Sequence, residues 1–282
     1  MRSSIITLVL LLSIGVSWAG DRNRIIALGV RNFTYTPKEG KETVGSALGS
    51  IANVLITGQN TTQQPQYKDA VRAAIVRGLT SGFRTIATDM GNIGEQTNAT
   101  FDYYVDATIN NISTTTKTES ITTTKNGVNT YYKAMVGITL QFKDSQTEEV
   151  IASPMFKISD VDVAWIETEE SAITSTLRKL SAYVGGYCNR KYPIYGTILE
   201  SARQSKDKQK EVYIDLGTNL GAYKGLHLTA YTVKTIAGKE AKTQVGKLKI
   251  MDVQGEDISF CKIQSRRSGT CSGNWKIETI TN

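Results

Sequence analysis

"VYIDLGTNLGAYKGLHL", residues 212–228, decides how the chain is read. An apolar run from Val212 to Leu216 is followed by glycines at 217, 221 and 225. Glycines after a strand either cradle a phosphate or turn the chain. A phosphate loop needs them to open a helix, so that backbone N–H groups and the helix N-terminus meet the anion. Here the last glycine is followed by "LHLTAYTV", which alternates as a strand does, and GxxxxGK[ST] occurs nowhere. The glycines are therefore expected to supply positive φ where one strand turns into the next. The segment reads as β, and no cofactor is expected.

Working outward, the whole C-terminal part has the period of strands. "YGTILES", "KEVYIDLG", "GLHLTAYTV", "QVGKLKIMDVQ" and "DISFCKIQ" are short alternating runs separated by turn residues, the pattern of a small barrel or sandwich. Residues 194–282 form this all-β module, with the boundary at Tyr192-Pro193. Upstream the period changes. "RIIALGVRNF" (24–33) reads as a buried strand, and "AVRAAIVRGLTSG" as an amphipathic helix with Asp69 in its first turn and Gly82 past its end. "FRTIATD" is a short strand. "FDYYVDATINNIS" and "TYYKAMVGITLQFKD" alternate on either side of Asn126-Gly127, the signature of a long antiparallel hairpin. "EEVIASPMFKIS" adds one strand, and 167–188 a second helix. "TGQNTTQQPQ" reads as a polar linker. Residues 20–193 are thus expected to be an α+β layer, a mainly antiparallel sheet with helices on one face.

The N-terminus, "MRSSIITLVLLLSIGVSWAG", has a basic start, an apolar core and small residues around Trp18. It is expected to be a signal peptide, residues 1–19, cleaved after Ala19. Its apolar run is short for a membrane span, and no cysteine follows it to carry a lipid anchor. The mature chain is expected in the periplasm, at most associated with the outer membrane. The net charge is +7 at pH 7. The tightest basic cluster, "SARQSKDKQKE", reads as a solvated loop, with an anionic surface such as peptidoglycan or lipid head groups as the other reading and no nucleic-acid partner expected. In an exported chain, Cys261 and Cys271 can meet across "KIQSRRSGT" if the flanking segments form a hairpin. They are the expected disulfide, leaving Cys188 half-buried in a helix.

Catalytic chemistry finds little to stand on. With one histidine in the chain, His227, a His/Cys zinc site is not expected, and that histidine reads as a barrel residue. Asp102 and Asp106, and Asp160 with Asp162, share strand faces as solvated or edge charges. Glu167, Glu169 and Glu170 read as an acidic first helical turn. No metal, cofactor or catalytic residue is expected, and the chain is read as no enzyme.

The C-terminal stretch "VYIDLGTNLGAYKGLHLTAYTV…VGKLKIMDVQGEDISFCKI" resembles the C-terminal module of the flagellar H-ring protein (FlgT-like) family. "IIALGVRNF", "AVRAAIVRGLTSGFRTIATD" and "FDYYVDATINNI" resemble the domain shared by the curli secretion channel (CsgG-like), by outer-membrane activators of penicillin-binding proteins and by the H-ring protein. The resemblance implies a CsgG/TolB-N-like fold and an envelope machine. A homo-oligomeric periplasmic ring or scaffold is the leading reading, with itself and other envelope or flagellar basal-body proteins as partners. A curli-channel-like outer-membrane pore is second, and a module regulating a cell-wall enzyme third. A pore needs an apolar lipid face on strands of about 9–11 residues, and "STTTKTESITTTKNGVN" offers Thr, Lys and Glu on both faces. Ala47, Leu48, Ile51, Ala52, Val54, Leu55 and Ile56, in the small-residue stretch "VGSALGSIANVLI", are the expected oligomer interface.

Overall fold

The structure, a computed structural model, describes residues 23–36, 59–92, 100–120, 128–205, 208–266 and 275–280. The expected signal peptide, the expected interface from Ala47 to Ile56, the Asn126-Gly127 turn and Cys271 lie outside the described residues. The chain divides into two compact units. One comprises Ile25–Ile194, Leu226–Thr229 and Thr279–Asn282; the other comprises Met1–Arg24, Tyr195–Gly225 and Ala230–Glu278. The architecture is α+β together with a barrel.

The α+β unit is built on strands β1 (Ile26–Tyr35), β2 (Gln59–Gln63), β3 (Thr85–Asp89), β4 (Tyr103–Ser120), β5 (Val128–Asp144), β6 (Val150–Ala152) and β7 (Met155–Ile158). The sheet order is β3-β1-β4-β5-β6, with β2 added to β4 and β7 to β5. β1 runs parallel to both β3 and β4, whereas every other pairing in this sheet is antiparallel. The sheet is therefore mixed rather than mainly antiparallel throughout. A helix between β1 and β3 carries the chain back to its starting end, which makes the two strands parallel.

Helices α1 (Lys68–Thr80) and α2 (Glu169–Lys191) bury their apolar stripes in the same core. In α1 these are Val71, Ala74, Ile75 and Leu79; in α2, Leu180, Val184 and Cys188. They meet Leu28 and Val30 of β1, Val105 to Ile112 of β4, and Val136, Ile138, Leu140 and Phe142 of β5. The helices approach closely because Gly78 carries no side chain: a Cβ there would lie 2.7 Å from both the Ser181 carbonyl oxygen and Val184 Cβ. Thr168 caps α2, its hydroxyl accepting from the Ser171 N–H at 3.3 Å, with Glu169 and Glu170 in the first turn and Arg190 and Lys191 in the last.

Three local readings change. The "polar linker" contains β2, whose Thr61 hydroxyl pairs with that of Thr115 on β4 at 2.9 Å. "EEVIASPMFKIS" is two strands, interrupted at Ser153-Pro154. Asp160 and Asp162 lie in a capped turn after β7, not a strand, and Asp162 accepts from the Ser159 N–H at 2.8 Å.

The second unit is a closed barrel in the order β10-β11-β12-β9-β8-β13. Its strands are β8 (Tyr195–Ser205), β9 (Lys208–Ile214), β10 (His227–Ile236), β11 (Lys239–Val253), β12 (Ser259–Arg266) and β13 (Lys276–Thr279). Val212, Ile250 and Cys261 are register partners across three neighbouring strands, and all are buried. Gly221 and Gly225 have φ of 73° and 99°, the left-handed conformation expected of them. Gly217 does not: its φ is −130°, and its lack of Cβ instead lets the backbone of Glu256 and Asp257 press against it. A short 3₁₀ turn, Thr218–Leu220, lies between these glycines, and β10 begins two residues after Gly225.

Candidate functional site

The solvent face of the α+β sheet is organised by two β-bulges. In a regular strand successive side chains alternate, but a bulge lets two consecutive side chains share a face. β1 shifts register between Val30 and Phe33, and β4 between Ile109 and Asn111. Ile26, Leu28 and Val30 enter the core, and Phe33 and Tyr35 pack on the same core. The intervening polar pair, Arg31 and Asn32, both reach Asp106.

Asp106 is the centre of this face. Lys143 Nζ donates to one carboxylate oxygen at 2.6 Å and Asn32 Nδ2 to the other at 2.9 Å, while Arg31 Nε lies 3.6 Å away. Arg31 in turn donates both terminal nitrogens to Glu148 at 2.8 Å each and sits 4.0 Å above the Tyr104 ring. Burial by itself pushes the Asp106 carboxyl up. The Lys143 hydrogen bond and charge, with Arg31 and Asn32, outweigh it and hold the carboxyl below its ordinary range. Two cations, Arg31 and Lys143, here balance two carboxylates, Asp106 and Glu148.

A carboxyl held low stabilises the fold above its unfolded-state pKa, about 4. That contribution disappears as pH falls through the lower folded value. Asp106→Asn is therefore expected to cost about 1–2 kcal/mol near neutral pH and much less near pH 3. Urea unfolding at the two pH values checks this; an equal cost at both would contradict it.

At the second bulge, Asn110 donates to the Thr139 hydroxyl at 2.9 Å and Asn111 to that of Ser113 at 3.3 Å. A groove of about 650 Å³ opens over this bulge and Gly137, reaching Gln63 of β2 and Lys157 of β7. Further along the hairpin, Thr114 is buried by a polar cluster. Gln64 donates to Thr114 at 2.7 Å and to Glu169 at 2.6 Å, and the Thr114 hydroxyl donates to Glu169 at 2.8 Å. Ser113 and Thr115 are buried too. The first part of the stretch read as polar on both faces is thus packed by β2 and the start of α2. Beyond it, Lys117 pairs with Glu119, and Lys117 and Lys133 lie 5.9 and 5.0 Å from the Trp165 ring centroid.

The other candidate residues are dispersed. Asp102 accepts from the Ala27 N–H at 2.8 Å, fixing the start of β1. His227 is exposed at the start of β10. Cys188 is fully buried rather than half-buried, its thiol pushed up to about 11 by burial. Cys261 is buried with a free thiol, pushed up to about 12 by burial, and its expected partner lies outside the described residues. Among the described residues, no group of three His, Cys, Asp or Glu side chains is placed to hold a metal ion. No described helix is long and apolar enough to cross a membrane. The residues around Asp106 that sequence reasoning missed are Arg31, Asn32, Lys143 and Glu148. The only signal was a polar pair, "RN", breaking an alternating strand.

No protein-family model matches the sequence, and no curated protein matches it. Among solved structures, it is similar to a DUF330 family protein of Xanthomonas campestris at 9% identity and TM-score 0.33, over 60% of this chain and 85% of that one. It is similar to the PelC dodecamer of Paraburkholderia phytofirmans at 14% identity and TM-score 0.31, over 56% and 87%. A hypothetical protein of Chlamydia trachomatis matches at 12% identity and TM-score 0.29, over 58% and 98%. Likenesses at these scores carry no argument about assembly or function.

Proposed function

We propose that the mature chain is a non-enzymatic protein of the bacterial envelope that assembles with itself into a ring or scaffold outside the bilayer. The periplasm is its proposed location, by the signal peptide, and other envelope proteins its proposed partners. The observation that carries this reading is the far end of the β4–β5 hairpin. There Lys117 pairs with Glu119, and Lys117 and Lys133 lie beside the Trp165 ring, a charged face that a pore could not turn toward lipid. A lysine at the bilayer midplane costs about 2–4 kcal/mol in a barrel wall, and every subunit would repeat that cost. In a water-facing assembly the same groups are solvated.

The surface proposed for self-contact remains the stretch from Ala47 to Ile56, where small residues permit close backbone approach and Val54, Leu55 and Ile56 offer apolar area. Replacing Ala52 and Leu55 together with Asp is expected to dissociate the assembly while circular dichroism shows the chain still folded. Light scattering after size exclusion reads the first effect. Discrete ion conductance by the purified protein in planar bilayers would replace the scaffold with the pore.

A further inference from the structure

The two lateral edges of the mixed sheet are treated differently. At β3, the Thr80 hydroxyl lies 3.4 Å from both the N–H and the C=O of Ala87, closing the edge with a side chain. At β7, pairing among the described residues is with β5 alone. The Leu140 N–H donates to the Pro154 carbonyl at 3.0 Å, which fixes the phase of the ladder. Phe156 and Ile158 therefore point their backbone groups at β5, and Met155 and Lys157 point theirs outward.

Beside this edge lies a groove of about 480 Å³ between β7 and α2. Its apolar wall is Phe156 and Tyr187, whose rings meet edge-on at 5.8 Å, and Gly186 leaves it open. Tyr183 and Met155, 45% and 70% exposed, stand at its rim with Lys157 and Arg190. An open strand edge next to a helix-walled apolar groove is the arrangement that accepts an extended peptide as an added strand.

The geometry points to β7 as a docking edge for an extended segment of a partner protein, one that alternates apolar and acidic residues. Backbone groups of the segment pair with Met155 and Lys157, its apolar side chains enter the groove beside Arg190, and its carboxylates, on the opposite face of the added strand, meet Lys157. Charge argues against a second copy as the occupant. Antiparallel pairing of β7 with itself brings Lys157 toward its own counterpart, on a chain of net charge +7. A lysine on an open edge deters such self-pairing and admits an acidic strand. This inference is independent of the self-assembly proposed above.

The test uses a fluorescein-labelled peptide, Asp-Val-Asp-Phe-Glu-Val-Asp, and its all-lysine counterpart, titrated against the mature chain by anisotropy. Saturable binding of the acidic peptide alone is expected. Met155→Pro deletes one outward N–H and leaves the β5 ladder and both charges, and is expected to weaken binding about tenfold. Lys157→Glu with Arg190→Glu is expected to reverse the preference between the two peptides. Absence of saturable binding, or affinity unchanged in both variants, overturns the proposal. So does loss of self-association in Met155→Pro without peptide, which would make a second copy the occupant. Failure of peptide binding with assembly mass intact leaves the scaffold reading standing.

Discussion

Phe142→Ala is expected to cost the α+β unit about 3–5 kcal/mol, the largest effect of any single replacement considered. Phe142 is 1% exposed and sits on β5 in a row with Val136, Ile138 and Leu140. Its ring lies 5.6 Å from that of Tyr187, which also meets Phe156. Truncation loses the transfer free energy of the ring and leaves a cavity between a central strand and α2. Tyr187 cannot fill that cavity without abandoning Phe156. The loss reads out as a lower urea midpoint. Gln141→Ala, one residue away on the opposite face, is expected to stay within about 0.5 kcal/mol. Similar midpoints for the two variants would show that the face assignment of β5 is wrong.

Gly217→Ala is expected to cost roughly 2–3 kcal/mol, for a reason different from that of its neighbours. At φ −130° an L-residue is comfortable, so no backbone strain arises. The new methyl instead meets the main chain of Glu256 and Asp257, which no rotamer change can move. Gly225, at φ 99° with open space around its missing Cβ, has the opposite problem: an alanine fits but is strained. Gly225→Ala is expected to cost about 1–2 kcal/mol. Equal tolerance of alanine at both sites by thermal unfolding would contradict the packing at Gly217.

The sequence made the strands and helices with clean periods legible. The buried row of β5, the stripe of α1 and the strand-turn-strand reading of residues 212–228 follow from side-chain spacing, because burial acts on spacing directly. What was hidden had no periodic signature. β2 is a Thr and Gln strand that buries hydroxyls against β4 rather than apolar groups, so composition made it a linker. β13 is four residues long, too short to show alternation. The parallel pairing of β1 was invisible because strand-helix-strand order suits several topologies. The Asp106 network was missed because it depends on the bulge in β1. A bulge is one extra residue, and it changes which side chains share a face without changing the sequence's average character. Gly217 was grouped with its neighbours because a glycine needed for close approach reads like one needed for positive φ.

The central claim is self-assembly without lipid, and sedimentation velocity of the mature chain in detergent-free buffer tests it most directly. The account predicts one dominant boundary at a fixed multiple of the protomer mass, unchanged as concentration rises. A protomer-mass boundary at every concentration would contradict it and turn the reading toward a module that regulates a cell-wall enzyme.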